Sequence, residues 1–256
     1  MDLAERNPTA IARHPWEVSR CHFFVSLLKQ LGVTDTRRWL DVGAGDAWLA
    51  QQLKAVLRPE ATITCWDPNY AEGDLVSGVL ADGDELVLTV TRPAGLFDGV
   101  MMLDVVEHVE DDRRFVGEIV RDTLAPDGWV LVSVPAYQIL FSEHDRMLKH
   151  FRRYSPRQCR ELLADAGLEV RAEGGLFHSL LALRAVQVSK ERLVGLSSTP
   201  EGIGAWNGGP RITRLTTSVL EAETRLSLRL GSRSRVLPGL SYWAFCRRPD
   251  SNGVNR

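Results

Sequence analysis

Trp39-Leu40-Asp41-Val42-Gly43-Ala44-Gly45-Asp46-Ala47-Trp48 decides how this chain folds. A short apolar run ends in an acid, passes through a glycine-spaced turn and enters the amphipathic Leu49-Ala50-Gln51-Gln52-Leu53. That order is strand, tight loop, helix, the nucleotide-binding corner of an open α/β sheet. Glycine lets backbone approach a ligand with no Cβ between them. The free N–H groups at the start of the next helix then face the same spot. The same order also fits a strand-to-helix turn that binds nothing, so the loop needs support from elsewhere in the chain.

The loop itself narrows the ligand. A dinucleotide fingerprint places a third glycine three residues after the second, where helix and strand pack closely. Trp48 stands there, the bulkiest residue available, which argues against a pyrophosphate cradle and against an NAD-dependent oxidoreductase. The acid at the strand end, Asp41, suits a ligand with positive charge. S-adenosylmethionine carries an amino group and a sulfonium.

The 256 residues suit one large domain, or a core with an insertion, with ample length for a full hydrophobic core. A formal net charge of −2 with mixed signs offers no basic field for nucleic acid. Cys21, Cys65, Cys159 and Cys246 are scattered, with neither a paired CxxC nor zinc spacing, as in a reducing cytoplasm. His108, His144, His150 and His178 form no recognised metal motif, so metal-independent chemistry is expected. The start, Met1-Asp2-Leu3-Ala4-Glu5-Arg6, lacks the apolar core of a signal peptide, and no run reaches the length of a membrane span.

Residues 9–32 read as one or two helices with a break at His14-Pro15. Strands are expected at 37–42, 61–67, 85–90, 97–104, 129–134 and 168–172, and a final one at Tyr242–Cys246. Helices are expected from the glycine loop to Leu57, near 111–124 and over 155–166, the last capped by Ser155 with Pro156 at its first position. The stretch from Pro68 to Pro93 is expected to hold a short helix before its strand. Between His178 and Arg233, Ile212, Leu215, Val219, Leu226 and Leu230 fall at helical three- and four-residue steps. This stripe is expected to pack on the sheet or on a second subunit, the alternative being a lid. The fold class is therefore α/β, a Rossmann-like, doubly wound, mostly parallel seven-stranded sheet with an N-terminal helical segment (1–34). The core spans 35–176, a helical insertion 177–234, and the last strand and tail 235–256.

In open parallel sheets, ligands bind beyond the carboxyl ends of the strands. Three strands present polar groups there: Asp41 with Gly43 and Gly45, then Asp67, then Asp104 with Glu107 and His108. Asp67 can accept both hydroxyls of a ribose diol.

At this point Leu40-Asp41-Val42-Gly43-Ala44-Gly45 resembles the first motif of class I S-adenosylmethionine-dependent methyltransferases. Asp67-Pro68-Asn69-Tyr70 is similar to their ribose-binding segment, Phe97 to Asp112 to their fourth-strand motif, and Leu124-Ala125-Pro126-Asp127-Gly128-Trp129 to the leader of their fifth strand. Ser142-Glu143-His144-Asp145, His150-Phe151-Arg152-Arg153-Tyr154 and Leu237-Pro238-Gly239-Leu240-Ser241 resemble one small-molecule subgroup. The likeness covers most of the chain. Ala47 stands where that family often has a further glycine, and the acid near adenine is either Asp82 or Asp84.

The resemblance implies that Gly43, Ala44 and Gly45 pass under the methionine moiety, that Asp41 orients loop and amino group, and that Asp67 with Pro68 takes the ribose. It further implies that the backbone at Leu103 or Asp104 faces the methionine end and that His108 sits beside that pocket. The partner implied is a small-molecule acceptor that takes the methyl by in-line displacement, where alignment supplies much of the rate. If its nucleophile carries a proton, His144 is the candidate base, with Asp145 as a reserve or a group that fixes the loop. Arg152 and Arg153 can pair with an anionic group on the acceptor and Tyr154 can border it; alternatively, Arg153-Tyr154 only pins the loop. A non-catalytic adenosyl-ligand binding protein is the other reading.

Overall fold

A computed structural model describes residues 13–71, 86–194, 208–231 and 236–249. The break at His14-Pro15 proves to be the start of helix α1 (Pro15–Gln30): Pro15 opens the first turn and His14 Nδ1 accepts the Trp16 N–H at 3.3 Å. Gly32, with φ +67°, ends it. Strand β1 (Arg38–Val42) leads through the glycine loop into α2 (Trp48–Lys54). That helix stops short of Leu57, and the Lys54 ammonium at its end donates to the carbonyls of Pro59 and Ala61, at 3.0 and 2.5 Å.

There follow β2 (Thr62–Trp66), β3 (Leu86–Thr89), β4 (Phe97–Leu103), a 3₁₀ turn at Val106–His108 and α3 (Asp112–Thr123). The short helix expected between Pro68 and Pro93, and both Asp82 and Asp84, lie outside the described residues. Next come β5 (Leu124–Pro135), the short α4 (Glu143–Met147), α5 (Pro156–Asp165), β6 (Glu169–Leu176), α6 (His178–Val194), α7 (Pro210–Gly231) and β7 (Ser241–Arg247). Strand β5 starts earlier than its apolar run, since Leu124 already pairs with Phe97 before the register shifts at Gly99. Gly99 leaves room for Trp129: a Cβ there would stand 2.2 Å from that ring.

The seven strands lie in the order β3-β2-β1-β4-β5-β7-β6, parallel except for β7, which runs against both neighbours. This is the doubly wound architecture read from the sequence, and the strand order reverses between β1 and β4. Alternate side chains feed two cores. Trp39, Ile63, Met101, Leu131 and Trp243 meet Phe23, Leu27 and Leu53 on one face. Leu40, Met102, Val132 and Tyr242 meet Val116, Ile119 and Leu163 on the other. Among the described residues no helix is long and apolar enough to cross a membrane.

The insertion is helical, but its apolar stripe faces outward. Ile212, Leu215, Val219 and Leu226 are 59%, 67%, 45% and 46% exposed, so the expected packing on the sheet is not found; the side chain of Leu230 lies outside the described residues. Helix α7 packs on α1 and β6 with its other face, where Leu220, Thr224 and Ser227 are buried. Small hydroxyl side chains suit that close approach because each finds a partner. Thr224 donates to the Glu221 carbonyl at 2.9 Å, and the Ser227 hydroxyl lies 2.9 Å from His178 Nε2.

Candidate active site

The strand ends around the β1/β4 switch open into one cavity of about 1090 Å³. Its first half is made by the loops that leave β1, β2 and β4. Gly43 and Gly45 are left-handed, at φ +64° and +55°, and a Cβ on Gly43 would stand 2.5 Å from a Val105 methyl. The N–H groups of Gly43 and Ala44 are held by the Trp66 carbonyl at 2.7 and 3.3 Å, and Asp67 ties the same loop from the other side. It accepts the N–H of Gly45 at 3.0 Å and of Asn69 at 2.9 Å. Ala47 is also left-handed, at φ 55°, a conformation that glycine adopts without strain. The Arg13 guanidinium lies 4.3 Å from the centre of the Trp48 ring, so the third-glycine position is filled by a stacked pair.

Asp104, at φ +58°, closes this half: it accepts the Ser133 hydroxyl at 3.0 Å and pairs with Arg20 at 2.7 Å. Asp41 does not line the large cavity. It lines an adjoining chamber of about 50 Å³ with Glu17, Arg20, Gly43 and Ala44, where burial pushes its carboxyl up to about 7 against the pull of Arg20.

The second half is walled by residues 144–153 together with α1 and the start of α6. His144, Met147, His150, Phe151 and Leu180 line it. Asp145, fully buried, is the hub beneath. It accepts the Arg153 Nε–H at 2.7 Å, the Ser142 N–H at 3.0 Å and the His150 Nδ1–H at 3.1 Å. Burial opposes its charge, but the bonds from His150 and Arg153 outweigh that and hold the carboxyl well below the usual carboxylate range. The His144 pKa is lowered as well, by burial and then by the Arg184 charge, but for an imidazole this favours the neutral form.

Of the residues singled out in the sequence, Gly43, Asp67, Pro68, Leu103, Asp104, His108, His144 and Arg153 come together around the large cavity. Three expectations need correction. Asp145 does not reach the cavity, and a carboxylate already holding three donors is a poor proton acceptor. Arg152 and Tyr154 do not line the cavity either. Arg152 pairs with Asp112 at 2.8 Å and donates to the Glu110 carbonyl, while the buried Tyr154 hydroxyl donates to Asp112 at 2.7 Å. Asp112, in the first turn of α3, draws both side chains away from the cavity. Arg20 and His150 went unassigned in the sequence. Arg20 follows Glu17 by three residues on α1, and that pair of charges among apolar positions is the only sign of it in the sequence.

The fold recurs widely. The (4+2)-cyclase SpnF superposes with a TM-score of 0.55 at 17% identity, over 96% of this chain and 90% of that one. A SAM dependent methyltransferase from Archaeoglobus fulgidus gives 0.50 at 16% identity, over 89% and 94%. Magnesium protoporphyrin IX methyltransferase from Synechocystis PCC 6803, crystallised with SAH, gives 0.50 at 18% identity, over 62% and 78%. At such identities these likenesses speak for the fold alone. No curated protein matches the sequence. The methyltransferase domain family matches residues 18–173, which hold the glycine loop, Asp67, Asp104 and the His144–Arg153 wall. The chain belongs to that family and is a class I S-adenosylmethionine-dependent methyltransferase.

Proposed function

We propose that the chain moves a methyl group from S-adenosylmethionine to a small-molecule acceptor held in the same cavity. The observation that carries this is the cavity itself. A single space of about 1090 Å³ joins the glycine loop and Asp67 to a separate apolar and imidazole-lined wall. A pocket for one drug-sized ligand is roughly 300–1000 Å³, so there is room for donor and acceptor together. When bound, S-adenosylmethionine supplies a methyl group on a positively charged sulfur.

The residues fit such a ligand. Glu17, Asp67, Asp104 and Glu107 line the cavity against Arg20, Lys149 and Arg153, of which Arg20 is already paired with Asp104 and Arg153 with Asp145. The excess is acidic, as a cationic ligand requires. Each Asp67 oxygen accepts one backbone N–H and keeps a lone pair for a ribose hydroxyl. Asp41 reaches the loop from the small chamber, where its ionised form favours an amino group. Leu103 and Asp104 border the methionine end with His108 beside them. On the acceptor side, Met147, Phe151 and Leu180 give the cavity an apolar lining, to which His14 and Trp16 at the start of α1 also contribute. His144, neutral near pH 7, accepts the proton of an acceptor whose nucleophile carries one.

Transfer of labelled methyl to fractionated small-molecule extracts tests the reading. His144→Gln is expected to slow transfer about 10²–10⁴-fold while donor affinity holds. Unchanged turnover at saturating donor would remove His144 from the mechanism.

A further inference from the structure

The cavity holds a buried carboxyl group to which the methyl-transfer reading gives no specific partner. Glu107, on the 3₁₀ turn after β4, is 1% exposed, and neither of its carboxylate oxygens has a hydrogen-bond partner among the described residues. Burying a polar group without a partner is costly, and a carboxylate more so than a neutral group. Its nearest charges cancel one another: Asp104 pairs with Arg20, and Asp145 with Arg153. Nothing described here neutralises Glu107.

Two imidazoles stand beside it. His108 is its chain neighbour, and the Phe151 N–H donates to the Glu107 carbonyl at 2.8 Å, bringing His150 alongside. The two rings meet edge-on, centroids 4.6 Å apart, and one ligand atom from each of Glu107, His108 and His150 lies within 4.8 Å of the others. All three residues line the cavity. Asp145 fixes His150 from behind through Nδ1, which leaves Nε2 for the cavity side. A carboxylate holding the far nitrogen of a metal-binding histidine is the usual outer support of such a ligand.

We propose that Glu107, His108 and His150 form a binding site for a divalent first-row transition cation, with Asp145 as the positioning residue behind His150. Imidazole ligands favour zinc, copper, nickel or iron(II), with cobalt as a stand-in for zinc, over magnesium and calcium, which prefer all-oxygen shells. Three protein ligands leave coordination positions open toward the cavity. There the cation would hold an oxygen or nitrogen of the acceptor. That use rests on the methyltransferase reading, whereas the site stands on its own residues.

The test is titration of the chelator-treated full chain with Zn²⁺, Co²⁺ and Mg²⁺ by calorimetry, with the Co²⁺ absorption bands as a second readout. One equivalent of Zn²⁺ or Co²⁺ is expected to bind in the micromolar range or tighter, with Mg²⁺ far weaker. Glu107→Gln and His108→Asn each remove a ligand and should weaken Zn²⁺ at least as much as the about 10–100-fold loss that follows a change in an outer support. Glu107→Gln disturbs no existing hydrogen bond, so thermal denaturation should show it folded. An absence of Zn²⁺ and Co²⁺ binding by the wild-type chain would overturn the site, leaving Glu107 simply protonated or reserved for an acceptor cation. Binding undiminished in both variants would overturn it equally. S-adenosylmethionine titrated into the metal-free wild type separates the two ideas. Donor binding without cation binding sinks the site alone, and cation binding without donor binding sinks only its assigned use.

Discussion

The two halves of the cavity are built on different principles. The half around Gly43, Asp67 and Asp104 is made of strand ends, each set by the strand that carries it and tied by short backbone bonds such as Gly43 N–H to the Trp66 carbonyl. The half around His144, His150 and Arg153 belongs to no strand. It is held by side chains converging on one buried carboxylate, Asp145. A sheet edge tolerates the loss of one side chain because the ladder holds the rest. A wall hung on one buried carboxylate does not.

That contrast is open to attack. Asp145→Ala should cost about 3–5 kcal/mol in denaturant unfolding, because it leaves Arg153 buried without its partner. A loss below about 1 kcal/mol, the scale of an exposed pair, would mean the wall has other supports.

A middle-sized effect belongs to the donor half. Asp41, raised to about 7 by burial, is mostly protonated at pH 6 and mostly ionised at pH 8. If its charge attracts the donor's amino group, affinity should rise about tenfold over that window and stay flat in Asp41→Asn, read by calorimetry. The sign for folding is opposite. A carboxyl whose folded pKa is raised binds its proton more tightly in the native state, so its contribution to stability falls as pH climbs from the ordinary carboxylate value toward 7. Chemical denaturation at pH 5 and pH 8 should therefore converge in Asp41→Asn. The smallest effect expected is at Ala47. Relief of a left-handed alanine is worth roughly 1–2 kcal/mol and is partly cancelled by glycine's freedom in the unfolded chain, so Ala47→Gly should gain about 0.5 kcal/mol. A loss in thermal denaturation would show that the strain there is not real.

The same contrast explains what could be read from the chain. Asp41, Gly43, Asp67 and Asp104 are legible because a strand pattern, an acid and a turn occupy one short stretch each. The hub is not, because the meeting of Glu107 with His150, or of Arg153 with Asp145 and away from Arg152, depends on how distant segments pack. Motif likeness placed His144-Asp145 and Arg152-Arg153-Tyr154 together without telling which faced the cavity. Helical periodicity likewise found the stripe through Ile212, Leu215 and Val219, yet periodicity does not say which face of a helix meets the protein. Here the buried face is the one with Thr224 and Ser227.

Calorimetric titration of the full chain with S-adenosylmethionine, S-adenosylhomocysteine and NAD, beside Asp67→Ala, tests the central claim most directly. Both adenosyl ligands should bind in the micromolar range, NAD should not, and the variant should lose about 10–100-fold as its charged hydrogen bonds go. Binding of NAD in preference, or adenosyl binding indifferent to Asp67, would contradict the account.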